Sequence, residues 1–169
     1  MGATIDLVGA AEQALSLIPV EGPFSMRRYL LRMKIFLGMT GLHAGDFQAA
    51  FDGLDDYIQK LPAAMYEEHA LCLALKGYQL SRAGRNDEAL DTVVRAVAQS
   101  SGIRSEPALQ NIYRAYAYSH TNAWMWREAE WGLGQYERVI QTDDNIYNAI
   151  HCDNLKLVVQ ANLLSLIHI

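Results

Sequence analysis

The sequence predicts an all-α fold, an α-solenoid of about seven helices in which antiparallel helix pairs stack side by side. Three observations predict it. Apolar residues recur at helical spacing through most of the chain, and runs with strand-type alternation are hard to find. The 4 prolines fall outside the apolar-periodic stretches or at their starts. Three segments also align with one another as internal copies.

The copies cover residues 25–62, 65–101 and 105–142 and recur at intervals of 39 and then 40 residues. Each copy has a small residue in its first helix, a turn position, and an alanine in its second helix. In copy order these landmarks are Gly38, Gly77 and Ala117, then Gly45, Gly84 and Trp124, then Ala50, Ala89 and Ala129. Small residues let paired helices approach closely, and a turn glycine can adopt the left-handed conformation that ends a helix.

The two ends predict unpaired helices. Residues 1–20 have the pattern of the second helix of a preceding pair, and residues 144–169 that of the first helix of an incomplete fourth pair. The last helix has no polar cap of the kind that ends a solenoid. We therefore expect one superhelical domain, residues 1–169, that is a fragment of a longer protein or docks its last helix in a homodimer.

The landmarks resemble the tetratricopeptide repeat family over about residues 25–142. The resemblance rests on the first-helix glycine, the turn glycine, the second-helix alanine and the closing Pro62. The interval is longer than the family's usual length of about 34 residues, and Lys34, Leu73 and Tyr113 replace the family's tryptophan at motif position four. Long intervals are typical of tetratricopeptide-like arrays in bacterial signalling proteins and transcription regulators.

The resemblance implies that the first helix of each pair lines a concave groove. Carried over by motif position, the predicted partner-binding residues are Arg32, Met39, His43, Tyr78, Arg82, Asn111, Arg114, Tyr118 and Asn122. Such a lining suits an extended or helical peptide with apolar anchors and an acidic group. The alternative is that the tyrosines only pack between helix pairs and the arginines only solvate a face.

Three functions remain open at this stage. The first is a protein–protein interaction scaffold that binds a peptide or protein partner in the groove. The second is an effector-sensing regulatory domain of a bacterial transcription or signalling regulator. The third is a homo-oligomerisation module that uses the apolar C-terminal helix. Trp124, Trp126 and Trp131 either fill the junction after the third copy or form an aromatic docking site.

Composition argues against several other classes. The net charge is −5, so we expect this segment to make no direct contact with nucleic acid. The most apolar stretch, residues 155–169, is interrupted by polar residues and is shorter than the ~20 residues of a membrane span. Cys72 and Cys152 stand far apart and predict no disulfide framework, and the first residues lack the basic start of a secretory signal. The expected location is the cytoplasm.

Motifs with catalytic chemistry are missing from the sequence. It contains no phosphate loop, nucleophile elbow or dinucleotide fingerprint. His151, Cys152 and Asp153 are adjacent on a predicted helix and point in different directions, whereas metal ligands need a spacing of three or four residues. We therefore expect no enzymatic activity, no catalytic residue, no metal and no cofactor.

Overall fold

The chain divides into two compact units, Met1–Gln59 and Lys60–Ile169, in a computed structural model. The structure describes residues 64–141 and 146–167, together with residues 13, 17, 55, 58, 59 and 61. The predicted helix of residues 1–20 and the copy of residues 25–62 fall almost entirely outside the described residues.

Five α-helices make up the described part of the second unit. They are α1 (Tyr66–Arg82), α2 (Asn86–Ala98), α3 (Glu106–Asn122), α4 (Trp126–Ile140) and α5 (Ile146–Ile167), with a short 3-10 helix at Ser100–Gly102. Residues 64–141 and 146–167 contain no β-strand. The all-α prediction is therefore confirmed for the part of the chain that the structure describes.

The helices recur with a period of 40 residues. Helices α1, α3 and α5 begin at residues 66, 106 and 146, and α2 and α4 begin at residues 86 and 126. Helix α1 packs against α2 and α3, helix α3 packs against α2, α4 and α5, and α4 packs against α5. Each short linker within a pair turns the chain back, so that α2 lies on α1 and α4 lies on α3.

The two turns within the pairs share one geometry. Gly84 and Trp124 both adopt a left-handed backbone conformation, with φ of 77° and 63°. The amide of the following residue donates to a carbonyl oxygen five residues earlier, at 2.9 Å in both turns: Arg85 to Leu80, and Met125 to His120. This bond is characteristic of the Schellman cap, which satisfies carbonyl groups at a helix end.

Each helix pair packs closely at a glycine. The glycine lies on the first helix in one pair and on the second helix in the other. A methyl group added to Gly77 of α1 would overlap Cγ1 of Val93 in α2. In the second pair the equivalent of Gly77 is Ala117, and the glycine is Gly132 of α4. An added Cβ at Gly132 would lie 3.2 Å from the Ala117 Cα atom. Sequence analysis identified Gly77 and missed Gly132.

Helices α1, α3 and α5 bury the same three positions. These are Cys72, Leu75 and Gln79 in α1, Ile112, Ala115 and Ser119 in α3, and Cys152, Leu155 and Val159 in α5. All nine side chains are buried, and they recur at intervals of 40 residues. Helix α5 therefore packs with the register of α1 and α3, although its residue types differ.

Candidate partner-binding groove

Tyr78 and Tyr118 form the centre of the candidate site. They lie 40 residues apart on α1 and α3, and their ring centroids are 4.7 Å apart with an interplanar angle of 44°. Both side chains are half-buried. Burial raises the pKa of Tyr78, and the neighbouring Tyr118 contributes in the same direction. The pair presents an aromatic surface with a polar hydroxyl on each ring.

Arg114 places a positive charge on this surface. Its guanidinium carbon lies 5.8 Å from the centroid of the Tyr78 ring, within the range of a cation–π contact. The Arg114 Nη2 group donates to Oδ1 of Asn111 at 2.7 Å. The Asn111 Nδ2 group in turn donates to the Pro107 carbonyl at 2.7 Å. Asn111 therefore positions Arg114, whose planar guanidinium keeps further N–H donors for an acidic group.

A second polar cluster joins the pairs near their turns. The Asn122 Nδ2 group on α3 donates to Ser81 Oγ on α1 at 2.9 Å. The Asn86 Nδ2 group donates to the Asn122 carbonyl oxygen at 3.4 Å. Arg82 is exposed beside them, and its Nη1 group donates to Gln79 Oε1 at 3.4 Å. Asn122 thus connects successive pairs, and Arg82 adds a second exposed cation.

Helix α5 extends this surface. Val158 and Asn162 stand 40 residues after Tyr118 and Asn122. They complete an open depression with a volume of about 490 Å³, whose other lining residues are Ser81, Arg82, Gly84, Asn86, Thr121, Asn122, Trp124 and Trp126. Sequence analysis missed both α5 residues. The 40-residue interval could have predicted them, because adding 40 to each predicted α3 position gives the equivalent position on α5.

His151 lies at the opposite end of the same α5 surface, 40 residues after Asn111. Burial lowers its pKa, and the positive charge of Arg114 lowers it further. The Tyr147 ring lies 6.3 Å from the His151 ring, centroid to centroid. A neutral imidazole and a phenol therefore border the Arg114 end of the surface.

The three tryptophans have different environments. Trp126 packs against the buried cluster that contains Cys152, Leu155 and Val159, so it fills the junction between α4 and α5. Trp124 is 73% exposed, and its ring makes an edge-to-face contact with the Trp126 ring, with the two centroids 5.6 Å apart. Trp131 is 47% exposed and contacts tyrosines of α3. Trp126 thus lies at the junction, whereas Trp124 and Trp131 keep large exposed surfaces.

We call one surface of α1, α3 and α5 the tyrosine groove. It is formed by Tyr78, Arg82, Asn111, Arg114, Tyr118, Asn122, His151, Val158 and Asn162. Of the nine predicted partner-binding residues, the structure brings Tyr78, Asn111, Arg114 and Tyr118 into one cluster. It places Arg82 and Asn122 nearer the turns. The other three, Arg32, Met39 and His43, lie outside the described residues.

Among the described residues, no three His, Cys, Asp or Glu side chains are grouped so that they could hold a metal ion. None of the described helices combines the length and the apolar character that crossing a membrane requires. A scan against protein-family models, a search of curated proteins and a search of solved structures each gave no match.

Proposed function

We propose that this chain is a protein–protein interaction module, an α-solenoid of the tetratricopeptide type with about seven helices, that binds a peptide in the tyrosine groove. The 40-residue recurrence of helix starts, turns and buried positions supports the solenoid. The proposed module has no catalytic role of its own. It acts in the cytoplasm, in signalling or transcription regulation.

One observation carries the binding proposal, namely the contact of Tyr78 with both Tyr118 and Arg114. Two tyrosines and an arginine are residue types enriched in the energetic centres of interfaces. Here neighbouring contacts hold all three side chains, so binding would fix few additional rotamers. The aromatic faces fit an apolar side chain, and the guanidinium fits an aspartate or glutamate close to it.

Peptide selection tests this proposal. We expect random peptides of about a dozen residues, selected on the intact chain, to combine an apolar anchor with an acidic residue. Tyr78→Ala and Arg114→Ala should each weaken the selected peptides at least tenfold, about 1.4 kcal/mol, as measured by fluorescence anisotropy. Arg114→Lys should also weaken binding, because lysine lacks the planar donor fork.

Val94→Ala is the matched control. Val94 is an exposed apolar residue on α2, outside the tyrosine groove, so this variant should bind as the unmodified chain does. Circular dichroism would establish that each variant retains its helices. Selected peptides that bind all four variants with equal affinity would show that the groove is not their site.

The effector-sensing alternative has one observation in its favour. The depression beside Trp124 has a volume of about 490 Å³, which is in the range of small-molecule sites. It is open to solvent, whereas such sites usually enclose most of the ligand. We therefore favour the peptide. A small effector would raise the midpoint of thermal unfolding in proportion to the logarithm of its concentration.

A further inference from the structure

Helix α5 has two apolar faces. One is buried against α3 and α4 through Cys152, Leu155 and Val159. The other exposes Ile150, Leu157 and Leu164, which are 54%, 66% and 59% accessible to solvent. Soluble helices usually keep the face opposite the core polar. An exposed apolar face along most of a helix indicates a contact with another molecule.

The equivalent face is covered in the two preceding first helices. Leu157 stands at the position of Gly77 in α1 and Ala117 in α3, both of which are buried against the following helix. A small residue at that point lets α2 or α4 approach closely. Leucine has a much larger side chain, so a helix on α5 must lie farther out. The α5 face is therefore built for a different contact from those within the pairs.

Spacing on this face follows a coiled-coil heptad. Its six residues alternate at intervals of three and four, and all are exposed: Tyr147, Ile150, Asn154, Leu157, Ala161 and Leu164. The d positions are then Ile150, Leu157 and Leu164. The a positions are Tyr147, Asn154 and Ala161. Leucine at d is compatible with two strands, and one central asparagine at a is a known determinant of register and oligomeric state.

We propose that this face, the α5 heptad face, binds the α5 heptad face of a second copy as a parallel two-stranded coiled coil. In this arrangement Asn154 meets Asn154 of the partner subunit. An amide side chain carries both donors and an acceptor, so two symmetry-related asparagines can satisfy each other in an otherwise apolar contact. An unrelated apolar helix would bury the Asn154 amide without a hydrogen-bond partner, which would reduce the free energy of binding.

Packing on α3 and α4 already orders α5 before any dimer forms. Its 22 residues span about 33 Å. Short isolated coiled coils are weak partly because association must also order the helices. Here that ordering is complete, so a short heptad face can suffice. Tyr147 lies at the border of both surfaces, but this inference does not depend on peptide binding in the tyrosine groove.

The oligomeric state of the 169-residue chain tests the proposal. Sedimentation equilibrium should show a dimer at micromolar concentration. Leu157→Glu should shift the dimer to a monomer, because it places two like charges in the centre of the contact. Val94→Glu, which changes an exposed apolar residue on α2, should leave the dimer intact. A chain that stays monomeric up to about 100 µM, or a dimer that survives Leu157→Glu, would refute the proposal.

Cysteine cross-linking tests the parallel direction. With Ile150→Cys, a parallel dimer should form a disulfide between the two copies of residue 150, since equivalent core positions of a two-stranded coil are close enough for a bridge. Cys72 and Cys152 are buried, so they should not compete. Cross-linking only in mixtures of Ile150→Cys with Ala161→Cys chains, a d position with an a position, would show an antiparallel contact and overturn the Asn154 pairing.

Discussion

Gly84 and Trp124 hold the same left-handed backbone conformation at equivalent points of two successive turns. Glycine adopts this conformation at no steric cost, whereas a residue with a Cβ atom pays about 1–2 kcal/mol. The Trp124 ring is exposed and contacts Trp126 at its edge. The second turn therefore has the geometry of the first without the residue that favours it.

Replacing Trp124 with glycine should relieve this strain. We expect Trp124→Gly to be about 1 kcal/mol more stable than Trp124→Ala, because both variants lose the ring and only alanine keeps a Cβ in the left-handed region. Urea unfolding measures the difference. In the first turn, Gly84→Ala should lower the free energy of unfolding by about 1 kcal/mol, because it also puts a Cβ in the left-handed region. The space around Gly84 is open, so no steric clash adds to this effect. Equal stability of the two Trp124 variants would show that the turn carries no strain.

The contact between Gly77 and Val93 should not accept a methyl group. We expect Gly77→Ala to lower the free energy of unfolding by about 1–3 kcal/mol, because the added Cβ overlaps Cγ1 of Val93 and meets the Ala89 carbonyl oxygen at 3.2 Å. Combining it with Val93→Ala should cost less than the sum of the two single changes.

Gly134 provides the matched control for Gly77. It lies inside α4, and an added Cβ would find no atom within 4 Å. Gly134→Ala should therefore stabilise the protein by up to about 1 kcal/mol through helix propensity alone. Loss of stability in both alanine variants would mean that helix packing is not what distinguishes the two sites.

His120 should make stability depend on pH. Its side chain is buried, and burial lowers its pKa more than the backbone hydrogen bond to the Tyr116 carbonyl raises it. The folded state thus favours the neutral ring, and the unfolded state takes up a proton first as pH falls. The free energy of unfolding should decrease as pH drops from the unfolded value near 6.5 to the lower folded value.

Nuclear magnetic resonance titration checks this prediction directly. The His120 ring resonance, assigned by its loss in His120→Gln, should report a pKa below 6.5. The same variant should reduce the slope of stability against pH between 7.5 and 5.5. A resonance that titrates above 6.5 would contradict the argument from burial.

The two cysteines should be unreactive in the folded protein. Burial raises the pKa of Cys72 to about 12 and raises the pKa of Cys152 as well. The thiolate is the reactive form, so both groups lack the charge and the access that a thiol reagent needs. We expect Ellman's reagent to label them only as fast as the protein unfolds. Val94→Cys should add one site that reacts within seconds.

The all-α class was predictable from the sequence and is confirmed for the residues that the structure describes. Helices α1 and α2 lie within the copy predicted at residues 65–101, and α3 and α4 lie within the copy at residues 105–142, because burial and helix periodicity leave a clear pattern. Even the alignment of Gly84 with Trp124 holds in backbone conformation. Tryptophan has no propensity for the left-handed conformation, so residue type alone would not indicate that the two turns share it.

The site was harder to predict for a physical reason. A motif position shows that Tyr78 and Tyr118 share a helix face, but ring contact depends on how closely α1 and α3 pack. The positioning of Arg114 by Asn111 depends on side-chain rotamers, which leave no sequence signal. Val158 and Asn162 were missed because the 40-residue interval was not carried into the last helix.

The contacts among α1 to α5 join helices that are one or two places apart along the chain. Bringing such neighbours together requires only short chain segments to close, and the entropy lost in loop closure is correspondingly small. Proteins dominated by local contacts fold quickly. Folding of this region can therefore begin in either helical hairpin and spread to the next, with no distant part of the chain needed to start it.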